Sequence, residues 1–207
     1  MTQSHPDSAV LSVAALAAHI QGGGQALVPT DTLPALAALP EAADRIWTLK
    51  ARPTAKPLIL MGAEPQELLL ALQQPLHPDW ISMAEQVWPG ACTLVLPASG
   101  PLIDQLHPQG HTVGVRVPAS AVALELLRFT GPLATTSANR SGESPCQSAE
   151  QAAEVFPEIP RLGPVPWPEG SGRASTVLQW AGPGDWRVLR AGEIPLPPGP
   201  GFGSPLP

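Results

Sequence analysis

The chain has 207 residues, 43% of them hydrophobic, which suits one large domain or two small ones with a true hydrophobic core. Its net charge of -6 excludes a protein whose whole surface attracts nucleic acid or an anionic membrane. The two cysteines, Cys92 and Cys146, lack metal-ligand spacing and predict reduced thiols in a cytoplasmic protein.

Helical and strand patterns alternate along the chain. The first helix is predicted over residues 8–20, capped by Asp7 or Ser8, and Gly22 begins the glycine run that ends it. Further helices are predicted over residues 41–49, 65–73, 78–87, 119–129 and 148–155. Strands are predicted over residues 26–28, 57–61, 92–96, 112–117, 133–135, 175–179 and 186–189. This interleaving predicts an α/β fold with a mixed sheet and flanking helices.

The chain ends in a segment rich in proline and glycine. We predict one domain over residues 1–194 and a tail over 195–207, because proline excludes a regular helix or an interior strand there. The tail is expected to be extended or disordered, or alternatively to lie over the domain as a latch. No signal peptide or membrane span is predicted, since the apolar runs are too short.

Lysine is confined to one short segment. The chain has two lysines, Lys50 and Lys56, with Arg52 between them, and then no cation until Arg116. Cations at a helix end also complement the helix dipole, but this explains Lys50 and Arg52 and not Lys56, which follows the helix-breaking Pro53. The concentration of charge therefore favours a phosphate site.

Two polar segments directly follow predicted strands. Thr30, Asp31 and Thr32 follow the strand over 26–28, and the polar run over residues 135–142 follows another. Each can bind a small ligand through hydroxyl, amide and backbone N–H groups, although the first can equally be a self-bonded turn. The polar run has no histidine near it to act as a base, which argues against a serine hydrolase.

Arg116 lies within an apolar strand, where an unpaired charge is costly. It either pairs with a buried carboxylate or binds a ligand carboxylate, and the sequence leaves both open. The Trp88-Pro89-Gly90 segment is interpreted as a turn with a packed indole. The histidines show no ligand spacing, so no protein-bound metal is predicted.

The order of these segments resembles the YrdC family of L-threonylcarbamoyladenylate synthases. The motifs are Pro-Thr-Asp-Thr, Lys-x-Arg-Pro-x-x-Lys-Pro-Leu, Trp-Pro-Gly-x-x-Thr-Leu, Val-Gly-Val-Arg-Val-Pro, Thr-Ser-Ala-Asn-x-Ser-Gly, Ser-Thr-Val and Leu-Arg-x-Gly. The resemblance implies a twisted mixed sheet around a large concave cleft. It implies a nucleotidyltransferase that converts L-threonine, bicarbonate and ATP, with Mg2+ accompanying the ATP, into threonylcarbamoyl-AMP and pyrophosphate. A downstream tRNA threonylcarbamoyltransferase then modifies adenosine 37 of tRNA.

The resemblance also implies roles for individual residues. Lys50 and Arg52 are expected to act in catalysis by contacting the phosphates. The residues expected to bind ATP are Lys50, Arg52, Lys56, Thr112, Asn139 and Arg190. The residues expected to hold threonine or its carbamate are Thr32, Arg116, Ser137 and Ser175.

The chain departs from the family pattern beside the Thr-Asp-Thr segment. Pro34 and Ala35 stand where the family carries tyrosine and glycine, and Met61 stands where some relatives carry a histidine that contacts threonine. These changes predict a reshaped pocket on the threonine side. Two alternatives therefore stay open: an RNA-binding relative without synthase activity, or a carbamoyl-adenylate-forming relative. Direct tRNA contact is expected to be weak because of the net negative charge.

Overall fold

The computed structural model describes residues 8–194 and the short strand Phe202–Gly203. Within these residues the α-helices are α1 Val13–Gln21, α2 Ala43–Lys50, α3 Pro65–Ala71, α4 Pro78–Val87, α5 Pro101–Leu106, α6 Ala121–Thr130 and α7 Ala149–Val155. The strands are β1 Val10–Leu11, β2 Ala26–Val28, β3 Ala35–Ala38, β4 Ile59–Met61, β5 Cys92–Pro97, β6 Thr112–Arg116, β7 Leu133–Ser137, β8 Arg161–Leu162, β9 Thr176–Gly182, β10 Asp185–Arg190 and β11 Phe202–Gly203.

All these strands join one mixed sheet, in the order β1-β8-β2-β3-β7-β4-β6-β5-β9-β10-β11. The pairs β4–β6 and β5–β9 are parallel, whereas β2–β3, β3–β7, β4–β7 and β5–β6 are antiparallel. The predicted α/β class with a mixed sheet and flanking helices is confirmed. Because β7 lies between β3 and β4 and is antiparallel to both, the segment that follows β7 lies beside the segments that precede β3 and β4.

The two faces of the sheet differ in how they are covered. One face packs against α2, α3, α4, α5 and α7 in a large core that includes Leu36, Leu60, Leu94, Val115 and Ala134. On the other face, α1 and α6 cover only the part around β2, β3 and β8 and the adjoining ends of β4 and β7, at Met61 and Leu133, through a smaller core. The central strands β4, β6, β5 and β9 therefore expose their other face to a concavity.

The predicted helix over residues 8–20 is wrong at its start. Val10–Leu11 instead forms a strand that pairs in parallel with Arg161–Leu162. The helix begins after Ser12, whose hydroxyl accepts a hydrogen bond from the amide of Ala15 at 3.3 Å, so Ser12 is the cap in place of Ser8. The apolar residues at 10 and 11 suit either element, and strand pairing decides between them.

Besides β1 and β11, three short elements were not predicted from the sequence: β3, α5 and β8. Strand β3 reads Ala-Leu-Ala-Ala, is buried throughout and contains no β-branched residue, so it carries neither strand composition nor alternation. Helix α5 has six residues and β8 has two, which is too short for a periodic pattern.

Most of the predicted tail over 195–207, like Asp7, lies outside the described residues. Of that segment, Phe202–Gly203 pairs in parallel with Trp186–Arg187 at the edge of the sheet. The domain boundary at residue 194 stays a prediction. Among the described residues, no helix has the length and apolar character needed to cross a membrane.

Candidate functional site

A cavity of about 550 Å³ occupies the uncovered part of the sheet. Its floor consists of alternate residues of neighbouring strands, because successive side chains of a strand point to opposite faces. These residues are Ile59 and Met61 of β4, Thr93 and Val95 of β5, Thr112, Gly114 and Arg116 of β6, Thr135 and Ser137 of β7, and Val177 and Gln179 of β9. Polar side chains thus line a surface whose reverse side is the main apolar core.

Three arginines, Arg52, Arg116 and Arg190, line this cavity in a protein of net charge -6. None of the described residues that line it is a carboxylate. Burial lowers the pKa of each arginine, and for Arg190 the nearby Arg116 lowers the pKa further. Arginine nevertheless stays protonated at neutral pH, so the cavity is positively charged and suited to anions.

Arg116 is buried and held by three hydrogen bonds. Its Nη2 donates to Asp31 Oδ1 at 2.8 Å, its Nη1 donates to Thr32 Oγ1 at 3.0 Å, and its Nε donates to the Gly90 carbonyl at 2.9 Å. The predicted pairing with a carboxylate is thus confirmed. Because Arg116 also lines the cavity, its binding of a ligand carboxylate stays a prediction. A guanidinium has five N–H donors, so two remain, one on each terminal nitrogen.

The Thr-Asp-Thr segment is a turn organised by Thr30. The buried Thr30 Oγ1 accepts hydrogen bonds from the amides of Thr32 and Leu33, both at 3.1 Å, and donates to the Leu33 carbonyl at 2.7 Å. Asp31 also accepts a hydrogen bond from the Ala119 amide at 3.0 Å, after β6. The turn is therefore both self-bonded and part of the cavity wall, and it fixes Thr32 against Arg116.

The Trp-Pro-Gly turn supports Arg116 from the other side. The buried Trp88 indole donates to the Cys92 carbonyl at 2.8 Å, which confirms the predicted packed indole. The amide of Gly90 donates to the Val117 carbonyl at 2.9 Å, and its own carbonyl accepts from Arg116. The motif thus positions an arginine, although its sequence predicts only a turn.

Ser175 and Arg190 meet at the β9–β10 side of the cavity. Arg190 donates to the Ser175 carbonyl from Nε at 3.0 Å and from Nη2 at 2.9 Å, and Nη2 also lies 3.1 Å from Ser175 Oγ. Ser175 Oγ in turn lies 2.9 Å from Thr93 Oγ1. This network joins the start of β9 to β5 and holds a positive charge at the rim.

Lys50 lies behind the cavity wall and not on it. Its buried ammonium donates to the carbonyls of Ser137 and Asn139 and lies 3.4 Å from Asn139 Oδ1. No carboxylate of the described residues pairs with it. Burial, with repulsion from Arg52 and Arg140, lowers the pKa of Lys50 to about 8. Lys50 therefore brings positive charge beneath the loop after β7.

Asn139 shapes that loop from within. Its Oδ1 accepts from Ser137 Oγ at 2.6 Å, while its Nδ2 donates to the carbonyls of Arg140 and Glu143 at 2.8 and 2.7 Å. The side-chain amide is thus occupied within the protein. A role of Asn139 toward a ligand would act through the conformation of the loop that presents Ser137.

Arg52 and Lys56 belong to the segment between α2 and β4. Arg52 donates to the carbonyls of Lys56 and Pro57 at 3.2 and 3.0 Å and thereby braces this segment along the cavity rim. Lys56 is exposed and is not part of the cavity lining. Its flexible side chain is free to approach an anion that extends out of the cavity.

The structure brings most of the predicted site residues together. Those that line the cavity are Thr32, Arg52, Thr112, Arg116, Ser137, Ser175 and Arg190. Lys50 and Asn139 lie behind the wall, and Lys56 lies outside it. The ligand each residue binds stays a prediction.

The departures Pro34 and Ala35 cause no backbone strain. Ala35 is the first residue of β3, in register with Val28 and Ser137, and is not among the described non-glycine residues with positive φ. The Pro34 carbonyl accepts a hydrogen bond from the Ala138 amide at 2.8 Å. Ala35 and Met61 both line the cavity and make this part of its wall apolar.

Sequence reasoning missed Gln179 and gave no individual role to Thr93 or Thr135, although both of these lie in segments that it singled out. The missing signal is strand periodicity: Thr135 lies two residues before Ser137, and Gln179 lies two residues after Val177. Neither cysteine is a candidate nucleophile. Burial raises the pKa of Cys92 to about 12 and also raises the pKa of Cys146.

Fold and site together define an α/β protein with a concave, arginine-lined cavity on its sheet that suits an anionic ligand. A family model described as "Telomere recombination", which covers Sua5, YciO and YrdC proteins, matches residues 18–192. The chain belongs to this Sua5/YciO/YrdC family, and the resemblance seen in its motifs is confirmed.

Relatives and solved structures agree with the family. A threonylcarbamoyl-AMP synthase of Halorhodospira halophila is 34% identical over 191 residues, which is 86% of this chain and 100% of that protein. The synthase of Rattus norvegicus is 32% identical over 187 residues, with 86% of this chain and 66% of that protein covered. P. abyssi Sua5, solved in complex with L-threonine, is 33% identical with a TM-score of 0.82, and the match covers 89% of this chain and 55% of that one. The chain thus spans the whole bacterial relative but about half of the archaeal one.

Proposed function

We propose that this protein is a threonylcarbamoyl-AMP synthase, which joins L-threonine, bicarbonate and ATP and releases pyrophosphate. The observation that carries the proposal is the convergence of Arg52, Arg116 and Arg190 on one cavity in an acidic protein. The reaction has a carboxylate, a carbamate and a triphosphate to hold, and several converging cations meet that need. The related synthases carry the same activity in their names.

Arg116 is the candidate partner of the threonine carboxylate. Its two remaining N–H donors are held in place by Asp31, Thr32 and Gly90, so a carboxylate binds without reordering the side chain. The neighbouring Met61, its register partner on β4, leaves an apolar surface for the methyl group of threonine. L-Threonine is also the ligand named for the related P. abyssi protein.

Arg52 is the candidate partner of the ATP phosphates, with Lys56 reaching them from outside and Lys50 supporting the loop of Ser137 from behind. These groups lie along the rim next to Pro57 and Ser137. A fixed guanidinium there stabilises negative charge that builds on the α-phosphate and on the leaving pyrophosphate.

The chemistry requires no nucleophile from the protein. The threonine amine combines with bicarbonate to give the carbamate and water. A carbamate oxygen then attacks the α-phosphorus, and the bond to pyrophosphate breaks. Positioning of the two reactants and neutralisation of charge account for the catalysis, in agreement with the high pKa of Cys92.

Mg2+ enters this proposal as part of the substrate, bound to the phosphates of ATP. The described residues contain no group of three His, Cys, Asp or Glu side chains that could hold a metal ion. The cavity lining offers hydroxyls and arginines instead of carboxylates, which suits a metal carried by phosphate and water.

The product is a mixed anhydride, so an enzyme that transfers the threonylcarbamoyl group to tRNA must accept it next. We place both steps in the cytoplasm. Direct contact with tRNA would be weak, because the net charge is -6. The arginine-lined cavity favours synthesis over the alternative of an RNA-binding relative.

Pyrophosphate release tests the proposal. Purified protein is incubated with ATP, Mg2+ and bicarbonate, with and without L-threonine, and threonylcarbamoyl-AMP is detected by mass spectrometry. We expect release that depends on threonine, and the matched variant Arg116→Lys should raise the KM for threonine. Release that requires carbamoyl phosphate in place of threonine would contradict the proposal and support a carbamoyl-adenylate-forming enzyme.

A further inference from the structure

One end of the cavity lies well away from the phosphate-side cations. Gln179 on β9 is in register with Val95 of β5, Val95 with Gly114 of β6, and Gly114 with Ile59 of β4. Gln179 is therefore three strand spacings, about 14 Å, from Ile59. Arg52 is bonded to the Pro57 carbonyl, two residues before Ile59. This separation suits an extended nucleoside triphosphate with its phosphates on Arg52.

The surface at this end is apolar and open. Val95, Val177 and Leu189 line it, and Gly114 leaves space in the floor. A Cβ at position 114 would lie 2.9 Å from Ile59 Cγ2 and 3.2 Å from Thr93 Cγ2, so only glycine fits without displacing neighbours. A flat surface of this kind accepts the face of an aromatic ring, which then needs a polar partner only at its edge.

Gln179 supplies a polar group at that edge. Its side chain is half-buried, lines the cavity and makes no hydrogen bond to another described residue. The register partner of Gln179 on β10 is the exposed Arg187, whose Nε lies 3.9 Å from Asp185 Oδ2 and which makes no hydrogen bond to Gln179. His107 Nδ1 lies 2.9 Å from the Thr112 carbonyl and Arg190 is bonded to Ser175, so these two groups are already engaged. A half-buried amide that lies between Val95 and Arg187 and has no hydrogen-bond partner among the described residues gains one when a ligand provides it.

We propose that Gln179 determines nucleotide specificity by binding the edge of adenine that carries N7 and the 6-amino group. The amide oxygen accepts from the 6-amino group, and the amide nitrogen donates to N7. Guanine presents two acceptors, O6 and N7, at the same edge, so the amide pairs with it less well. The proposal rests on the ATP-dependent function above and deepens it by assigning the base.

Three variants test this assignment by titration calorimetry of ATP and GTP. In Gln179→Leu the preference for ATP over GTP should fall on the order of tenfold. In Gln179→Lys the preference should invert, because a lysine donates to both guanine acceptors. Gln66→Lys, at an exposed position of α3, adds the same charge outside the cavity and should keep the wild-type ratio. Circular dichroism confirms that each variant is folded.

A second arm uses the wild-type protein with altered bases. 7-Deaza-ATP lacks the N7 acceptor and inosine triphosphate lacks the 6-amino group, so both should bind more weakly than ATP, and Gln179→Leu should remove the difference. An unchanged ATP preference in Gln179→Leu, or full affinity of wild type for 7-deaza-ATP, overturns the assignment. Pyrophosphate release is scored separately, so selective ATP binding without threonine-dependent release would contradict the proposed function and leave the role of Gln179 standing.

Discussion

The ion pair between Asp31 and Arg116 makes a quantitative prediction about stability. Two substitutions separate its charge from its geometry: Asp31→Asn keeps an oxygen that can accept from Arg116, whereas Asp31→Ala removes both the charge and the acceptor. Both also affect the hydrogen bond from the Ala119 amide. Because Arg116 lines the cavity, the substitutions should alter threonine binding as well as folding.

The expected cost follows from burial. Removing one partner of a fully buried pair costs about 3–5 kcal/mol. The side chain of Arg116 is 4% exposed and that of Asp31 is 18% exposed. Arg116 also keeps its bonds to Thr32 and Gly90. We therefore expect Asp31→Ala to lower the free energy of unfolding by about 2–3 kcal/mol and Asp31→Asn by about 1 kcal/mol.

Urea unfolding measures these free energies in both Asp31 variants, in Arg116→Met and in the double variant Asp31→Ala/Arg116→Met. The double variant should lose less stability than the sum of the single ones, because neither charge is then left unpaired. Additive losses, or a loss below 0.5 kcal/mol in Asp31→Ala (roughly the ordinary scatter of surface substitutions), would refute the reasoning. The KM for threonine, measured on the same proteins, should rise in Asp31→Asn even though this variant is folded.

Three further predictions concern the phosphate side and the floor. Burial lowers the pKa of Lys50 from 10.5 to about 8, so between these pH values the unfolded state holds a proton that the folded state has lost. The free energy of unfolding of wild type relative to Lys50→Met should therefore rise as the pH increases from 8 to 10.5, by up to about 1.4 kcal/mol per pH unit, as unfolding curves of both proteins check. Arg52→Ala should weaken ATP binding on the order of tenfold, and the exposed Lys56→Ala only about threefold, both without unfolding, as measured by calorimetry. Gly114→Ala should lower the free energy of unfolding by about 1–3 kcal/mol and reduce ATP affinity, because its Cβ would crowd Ile59.

The control for the Arg52 prediction is an exposed arginine outside the cavity. Arg128→Ala on α6 removes an exposed cation with only a 4.0 Å contact to Glu64 and should leave ATP affinity unchanged. Equal losses in Arg128→Ala and Arg52→Ala would point to long-range charge in place of phosphate contact. A stability difference between wild type and Lys50→Met that is flat from pH 8 to 10.5 would contradict the lowered pKa.

The sequence predicts those elements that have a periodic hydrophobic pattern and recognisable start or stop residues. Helix α4 is matched at both ends, where Pro78 marks the start and Trp88 lies just past the last turn. Sequence patterns miss β3 because its strand conformation depends on pairing with β2 on one side and β7 on the other, and not on the local preference of its residues. β1 was assigned to a helix because its pairing partner, β8, lies about 150 residues later in the chain.

The candidate site was predictable to a similar degree. Residues in recognisable motifs, such as Thr32, Arg116 and Ser175, line the cavity as expected. Sequence reasoning could not foresee that Lys50 faces the carbonyls of Ser137 and Asn139, because this depends on how the loop after β7 packs over the end of α2. Gln179 was missed because it carries no motif, and only its register with Val95 places it in the cavity.

The placement of β7 between β3 and β4 has a consequence for how a ligand stabilises the protein. The cavity takes residues from strands spread between Thr32 and Arg190, and no continuous segment of the chain contains more than part of it. Local opening of any central strand therefore abolishes binding. A bound ligand should slow amide hydrogen exchange throughout β4, β5, β6, β7 and β9 together, as one cooperative unit, while exchange in the outlying β1 changes little.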